Sequence, residues 1–376
     1  MRARGNNRRN IKYYVLLGGA VLFQFGLFLL KDQPEWIERY YSRGFYPLFS
    51  YLSVILFSWV PFSVGDLLYF LFVLVIVGLF IGMMRSLVKK NWQKGGRYAL
   101  RLLTFLCALY TFFYVNWGLN YYRLPITKHL GLNVDETHAD DYRDVLGKYI
   151  VMANTLRDQL DVKGQSRLGV RVDLQEYIRQ DTVFTPLLSK TQVHAKNPLS
   201  SALVSYFTVS GYFNPFSMEA HVNQEIPNSS YPFVYVHELA HQMGIGFEDE
   251  CNFIAFRLLV GHENGWYRYA AYYAAIQSLL KPLYGDKEQL ERVRNMLSEK
   301  VRADFKEEYA FWQSKHGWVE QLMSLFYNQY LQYNNQPEGL ARYDMMAKLI
   351  VAWEKQKRHE LSTQDLGKLY APPVVR

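Results

Sequence analysis

The chain has 376 residues, half of them hydrophobic and 16% aromatic, with a formal charge of +8 and a mean hydropathy of −0.15. That length suffices for two or three domains, while 24 glycines, 13 prolines and the abundant aromatics exclude collagen-like and disordered classes. Two cysteines, Cys107 and Cys251, cannot build a disulfide framework. A basic excess raises nucleic acid as a partner, and the position of the charges decides that question.

The first twelve residues carry Arg2, Arg4, Arg8, Arg9 and Lys12 and no acid. An uncharged run over 13–30 follows, close to the minimum that crosses hydrocarbon as a helix. It is long for a signal-peptide core and ends at Lys31-Asp32-Gln33-Pro34 without a small-residue cleavage site, so it reads as an uncleaved anchor. Two further spans are expected at 67–84 and 102–119; Tyr114, Trp117, Tyr121 and Tyr122 cluster at the far end of the second, as an interfacial aromatic belt would. The segment 48–60, bracketed by Pro47 and Pro61, is short for a crossing and suits a re-entrant or interfacial helix. The linker 85–101 holds Arg85, Lys89, Lys90, Lys94, Arg97 and Arg101 without an acid, which places it in the cytoplasm with the N-terminus. Residues after about Asn120 then lie outside; were 48–60 to cross, they would lie inside. The two basic segments hold five and six positive charges, more than the whole net excess of +8. The charge is therefore a topology signal that meets the lipid bilayer, and no nucleic-acid partner is expected.

Residues 1–124 are thus a membrane anchor, and 125–376 have the composition of a globular domain. Helical spacing covers 140–160. Asp173-Leu174-Gln175-Glu176 looks like a capping box opening a helix that turns Leu174, Tyr177, Ile178, Phe184 and Leu188 toward the core. The stretch 200–223 reads as a hairpin or short strands, with Glu219, His221 and Asn223 alternating along one face. From Tyr231 the pattern is helical, broken at Gly261, at 282–285 and at 334–339. The expected fold is mainly α, with transmembrane helices first and a predominantly helical domain with a small β hairpin or sheet after them.

One motif carries chemistry: His237-Glu238-Leu239-Ala240-His241. Residues four apart stack on one helix face, so both imidazoles can address one metal ion, while Glu238 can take a proton from water at that ion. Ser229 or Ser230 could cap this helix, Pro232 fits its first turn, and Gly244 is placed to end it in a left-handed cap. A hydrolytic zinc site needs a third protein ligand. A metzincin would have a third histidine where this chain has Phe247. Glu248 opens the next helix and is the favoured ligand, with Asn252 one turn on as an orienting partner. Glu250, about 200° further round the helix, is the alternative. An edge strand beside a metal helix could pair with substrate backbone, which makes Glu219, His221 and Asn223 substrate-strand candidates beside the plainer possibility of a solvated strand face. Among 30 tyrosines and the nearby His262 and Tyr267, the sequence selects no oxyanion donor.

His-Glu-x-x-His followed by Glu248-x-x-Cys251-Asn252 is similar to the pattern of glutamate zincins, including membrane peptidases that process prenylated proteins and bacterial repressor-cleaving zinc peptidases. The resemblance implies Glu248 as zinc ligand and Asn252 at the supporting position. Ser210–Phe216, Glu219–Asn223, the His237 motif, Glu248–Phe256 and Tyr330–Tyr343 more closely resemble a bacterial family of membrane-anchored, metallopeptidase-like proteins of unknown function. Cys251, where alanine is commoner, is a mild departure. The expectation is one Zn2+ per chain held by His237, His241 and Glu248, with Glu238 as general base. The enzyme would be a zinc metallopeptidase acting on a peptide or protein from the outer side of a bacterial cytoplasmic membrane. Two alternatives remain open: a non-catalytic scaffold that keeps the helix as structure, and a zinc hydrolase acting on a non-peptide envelope bond.

Overall fold

The computed structural model describes residues 2–181 and 193–369, with side chains described over 11–181, 193–343 and 345–360. Helix α1 (Arg2–Leu30) leads through the single turn α2 (Pro34–Trp36) into a π-helical stretch, Ile37–Phe45, and on to α3 (Tyr46–Phe57), α4 (Val64–Val88) and α5 (Trp92–Asn116). Three segments are long and apolar enough to cross a membrane: Ile11–Leu30, Val64–Val88 and Trp92–Asn116. Each span runs further than its uncharged run suggests, because helix continues through the basic flanks. The expected linker over 85–101 shrinks to a turn at 89–91, with Arg85 in the last turn of α4 and Lys94 near the start of α5.

Helix α3 covers most of the ambiguous 48–60 segment, and both of its ends touch the C-terminal part of the chain. The Tyr46 hydroxyl donates to the Gln242 carbonyl at 2.6 Å, and the Phe57 carbonyl accepts from Lys196 Nζ at 2.7 Å. Twelve residues rise only about 18 Å, against about 30 Å of hydrocarbon. The segment is not among the three that are long and apolar enough to cross.

The C-terminal part is helical around a small sheet. After the turn α6 (Ile126–Leu130) come α7 (Ala139–Gln159) and α8 (Val170–Gln180). Helix α8 begins three residues before the expected capping box, behind Gly169 in a left-handed conformation, so Asp173 sits in its first turn and caps nothing. Leu174 and Ile178 are buried as expected, whereas Phe184 and Leu188 lie outside the described residues. Strands β1 (Ala195–Lys196), β2 (Gly211–Asn214) and β3 (Glu219–Val222) form a sheet in the order β1-β3-β2, with β3 parallel to β1 and antiparallel to β2. The start of the stretch expected as strand is instead the short helix α9 (Ser201–Tyr206), because the Ser200 side chain accepts from the Leu203 amide and caps it. Helices α10 (Tyr231–Gln242), α11 (Glu248–Val260), α12 (Gly265–Leu280), α13 (Lys287–Met296), α14 (Glu299–Gln313), α15 (Trp318–Tyr333) and α16 (Met346–Leu369) complete the chain.

Two cores result. The larger packs α7, α10, α11, α12 and α16 through residues such as Tyr149, Leu239, Phe253, Tyr269 and Ile350. The smaller joins anchor to sheet: Leu27, Ile37, Tyr41, Tyr46, Tyr114, Trp117, Leu119 and Tyr121 close on Met218. A buried ion pair pins the same junction. Lys196 Nζ lies 2.6 Å from Glu219 Oε1 and also donates to the Phe57 and Phe62 carbonyls. Glu219 in turn accepts from the Val64 and Gly65 amides, filling the open N-terminal donors of α4.

Replacing one member of a buried pair leaves the other charge uncompensated. Lys196→Met should therefore lower stability by about 3–5 kcal/mol, read from chemical unfolding of the detergent-solubilised chain. A loss below about 1 kcal/mol, the scale of an exposed pair, would contradict a buried, mutually dependent pair at the junction.

Candidate metal centre

The metal motif falls on α10. Pro232 occupies its first turn, and Gly244 (φ +88°) ends it in the left-handed region; a Cβ there would also stand 2.8 Å from the Tyr46 ring. The expected serine cap is not made, since the Ser230 hydroxyl turns to the Pro227 carbonyl. At the C-terminal end, the Met243, Ile245 and Gly244 amides turn back onto the Leu239, Ala240 and His241 carbonyls, and side chains from the N-terminal part of the chain add further donors. Trp117 Nε1 donates to His241 O at 3.1 Å, Tyr46 to Gln242 O, and Arg123 Nη1 to Gly244 O at 2.8 Å. Arg123 is itself held by Glu38 of the π-helical stretch at 2.7 Å, a carboxylate that burial would raise but that His129, Arg123 and Arg43 bring well below its usual range.

Helices α10 and α11 cross so that three ligand atoms converge. His237 Nε2 and His241 Nε2 lie 3.2 and 3.3 Å from Glu248 Oε2, and the whole group lies within 4.8 Å. Each imidazole is fixed through its other nitrogen. His237 Nδ1 donates to Asn252 Oδ1 at 2.7 Å, and His241 Nδ1 to the Ile245 carbonyl at 2.9 Å. Asn252 turns its Nδ2 toward the Tyr343 carbonyl, which leaves Oδ1 as the acceptor. With both protons on Nδ1, the two Nε2 atoms present lone pairs to a carboxylate oxygen that receives no hydrogen bond. Three buried acceptors facing one another repel unless a cation sits among them. Two ligand atoms on a tetrahedral zinc lie about 3.3–3.4 Å apart given bonds of about 2.0–2.1 Å, so the separations found suit such an ion.

Glu238 is 3% exposed, and its Oε2 has no hydrogen-bond partner among the described residues. Burial pushes its carboxyl up to about 7, against the pull of His237 and His241, which suits a group that exchanges protons near neutrality. Strand β2 presses on it: a Cβ on Gly211 would come within 2.6 Å of Glu238 Cγ. At Glu248 burial acts upward too, but without a metal ion the charge of a protonated His241 and hydrogen bonds donated by His237 and His241 outweigh it and hold the carboxyl well below its ordinary range; a bound cation would take the place of those protons. Cys251 stands behind His241, its sulfur 3.3 Å from Nδ1, and burial lifts the thiol to about 12. A neutral thiol on the far side of the ring is no ligand.

The structure brings His237, Glu238, His241, Glu248 and Asn252 together and sends the other candidates elsewhere. Glu250 points away from the imidazoles and accepts the Ile126 amide at 2.8 Å. Glu219 and His221 lie on the central strand β3 and Asn223 follows its end; all three are buried, so they form neither a substrate edge nor a solvated face. Glu219 is spent on Lys196 and α4, Asn223 holds Ser205 and the Val209 carbonyl, and His221 stacks on Tyr212. The edge beside Glu238 is β2. His262 packs between Tyr177 and Tyr267 beyond the far end of α11, about 20 Å from Glu248 by helical rise. The tyrosines at the site come from residues nothing in the motif selects. Tyr327 donates to Glu248 Oε1 at 3.0 Å and meets the Tyr343 hydroxyl at 3.2 Å, and the Tyr343 ring stacks on His237. The loop that breaks the helices near 334–339 contributes as well, since Gln336 Oε1 accepts the Glu248 amide. The likeness over Tyr330–Tyr343 was the one sequence signal that touched this wall.

Removing an orienting partner from a metal-binding histidine costs about 10–100-fold in affinity. Asn252→Ala should weaken the binding of added Zn2+ by that much in a competition titration against a chromogenic chelator. Glu250→Gln, which can still accept from Ile126, should leave it unchanged.

Residues 41–351 match the model of a family described as "Protein of unknown function (DUF3810)". No curated protein and no solved structure matches the chain.

Proposed function

The chain belongs to this family, and we propose that it is a membrane-anchored zinc metallopeptidase of the glutamate-zincin type. The observation that carries the reading is the convergence of two Nε2 lone pairs and an unprotonated carboxylate oxygen, each set by its own outer hydrogen bond, beside a buried glutamate with one free oxygen. His237, His241 and Glu248 would hold one zinc ion. When bound, zinc supplies Lewis acidity toward a carbonyl oxygen and acidifies a water. Glu238 accepts the proton of the attacking water at Oε2 and delivers it to the leaving amine. Tyr327 and Tyr343 bring hydroxyl donors to the side where negative charge develops. An extended peptide would add to the free edge of β2, which runs past Glu238 at Gly211.

Charge supports an orientation with the N-terminus and the tip of the α4–α5 hairpin in the cytoplasm. The π-helical stretch and α3 pack on the C-terminal part, and with that orientation three crossings would leave the site on the outer face of a bacterial cytoplasmic membrane.

Metal analysis of the full-length chain tests the ligand set. Wild type should carry about one zinc per chain, and His241→Ala and Glu248→Ala should carry little. Glu238→Gln should keep the metal and lose about 10²–10⁴-fold in peptide hydrolysis. A Glu238→Gln chain as active as wild type would remove the mechanism, and a wild type that cuts no peptide while tolerating this substitution in cells would favour a non-catalytic scaffold.

A further inference from the structure

Helix α15 has an unusual surface for a domain helix. Among its sixteen residues Glu320 is the sole charged one, and its outer face exposes Trp318, Leu322, Leu325, Phe326 and Tyr333, most of them by more than 60%. The neighbouring α14 follows the ordinary pattern, with Lys300, Lys306, Glu307 and Glu299 among its exposed positions. A row of large apolar side chains on one helix marks an interaction surface.

The position of α15 says what covers it. Its C-terminal end lies against span α5: Tyr333 and Tyr110 share a hydrogen bond at 3.0 Å, Tyr114 donates to Asn334 at 2.8 Å, and the Tyr330 ring meets Phe113. Tyr110, Phe113 and Tyr114 belong to the last two turns of α5, inside its apolar length and in the aromatic zone where a span leaves the hydrocarbon. The outer face of α15 therefore continues the exposed apolar surface of the span. The opposite face of the same helix reaches the site, where Tyr327 bonds the ligand Glu248 while its own ring is more than one-third exposed.

We propose that α15 lies in the bilayer interface with its outer face among the acyl chains, and that it is the membrane-side wall of the metal centre. A substrate tethered in the bilayer then reaches Glu238 from the lipid side, past Tyr327 and Tyr330. This second half rests on the peptidase reading. An interfacial helix with a continuous apolar face buries about 5–10 Å into the headgroup boundary, which brings that boundary alongside the tyrosine wall. The substrate class that follows is a peptide carrying a lipid or an apolar span, cut close to where it leaves the membrane.

The test uses the full-length chain in lipid discs of phosphatidylethanolamine and phosphatidylglycerol, in a Cys107→Ala background that leaves only the buried Cys251. Nitroxide labels go on Leu322→Cys and Phe326→Cys, with Tyr309→Cys of α14 as control. Collisions with dissolved oxygen should exceed those with a water-soluble nickel chelate at 322 and 326 and fall below them at 309; nickel dominance at all three sites overturns the placement. The same discs then receive a myristoylated peptide library and its unacylated counterpart. Wild type should cut the acylated peptides faster by about tenfold or more, the gain expected from holding reactant at the surface. Leu322→Glu combined with Phe326→Glu should lose that preference while keeping its zinc. Equal rates on the two libraries overturn access from the lipid side. Failure to cut either library overturns the peptidase reading, and the label accessibilities still decide where α15 lies.

Discussion

The end of a helix is the constraint from which this architecture follows. Backbone amides turning back over the C-terminus of α10 take the Leu239, Ala240 and His241 carbonyls, and the Gln242 carbonyl is left to a side chain. Trp117, Tyr46 and Arg123 take three of the carbonyls in the last turn and just beyond it, and all three come from the part of the chain that carries the spans. A hydrogen bond left unmade in such surroundings costs about 1–3 kcal/mol, so the donors and the helix fix each other's positions. The three converging side chains ride on the result: His241 contributes both one of the facing nitrogens and one of the capped carbonyls.

The polar groups at the centre divide cleanly between structure and chemistry. Glu250, Glu219 and Asn223 are buried and fully engaged with backbone or opposite charge, as buried polar groups must be. Glu238 and Glu248 each keep one oxygen without a hydrogen-bond donor among the described residues. Unpartnered polar atoms are costly in a packed interior, and two carboxylate oxygens left so on neighbouring helices mark the point where a cation or a reacting group would be most strongly held.

Much of this was legible in the sequence. Helical spacing alone puts His237 and His241 on one face, and the angular step between Glu248 and Glu250 is enough to separate the acid that meets the imidazoles from the one that does not. The three spans were readable because about eighteen uncharged, apolar residues in a row form little else than a crossing helix. What failed were readings that depend on tertiary neighbours. Alternation made Glu219, His221 and Asn223 look like an accessible strand face, but β1 and β2 pair on the two edges of β3, and Lys196, Tyr212 and Ser205 cover the three side chains. The Asp173 capping box obeyed its pattern and lost to Gly169, which already supplied the turn. Tyr327 and Tyr343 lie about eighty residues or more from the motif, and no local rule connects a tyrosine to a carboxylate at that separation.

The interlocking of anchor and metal helix has a consequence for how the protein is made. The donors for the end of α10 are synthesised long before α10 itself, and they lie on or beside the long apolar helices of the N-terminal part. Since chains assemble in order from the N-terminus, α10 closes onto a surface that the earlier helices supply. The gathering of His237, His241 and Glu248 in this way leans on residues translated before them, and a chain cut short of its N-terminal helices carries the motif without Trp117 and Tyr46 to hold the helix end.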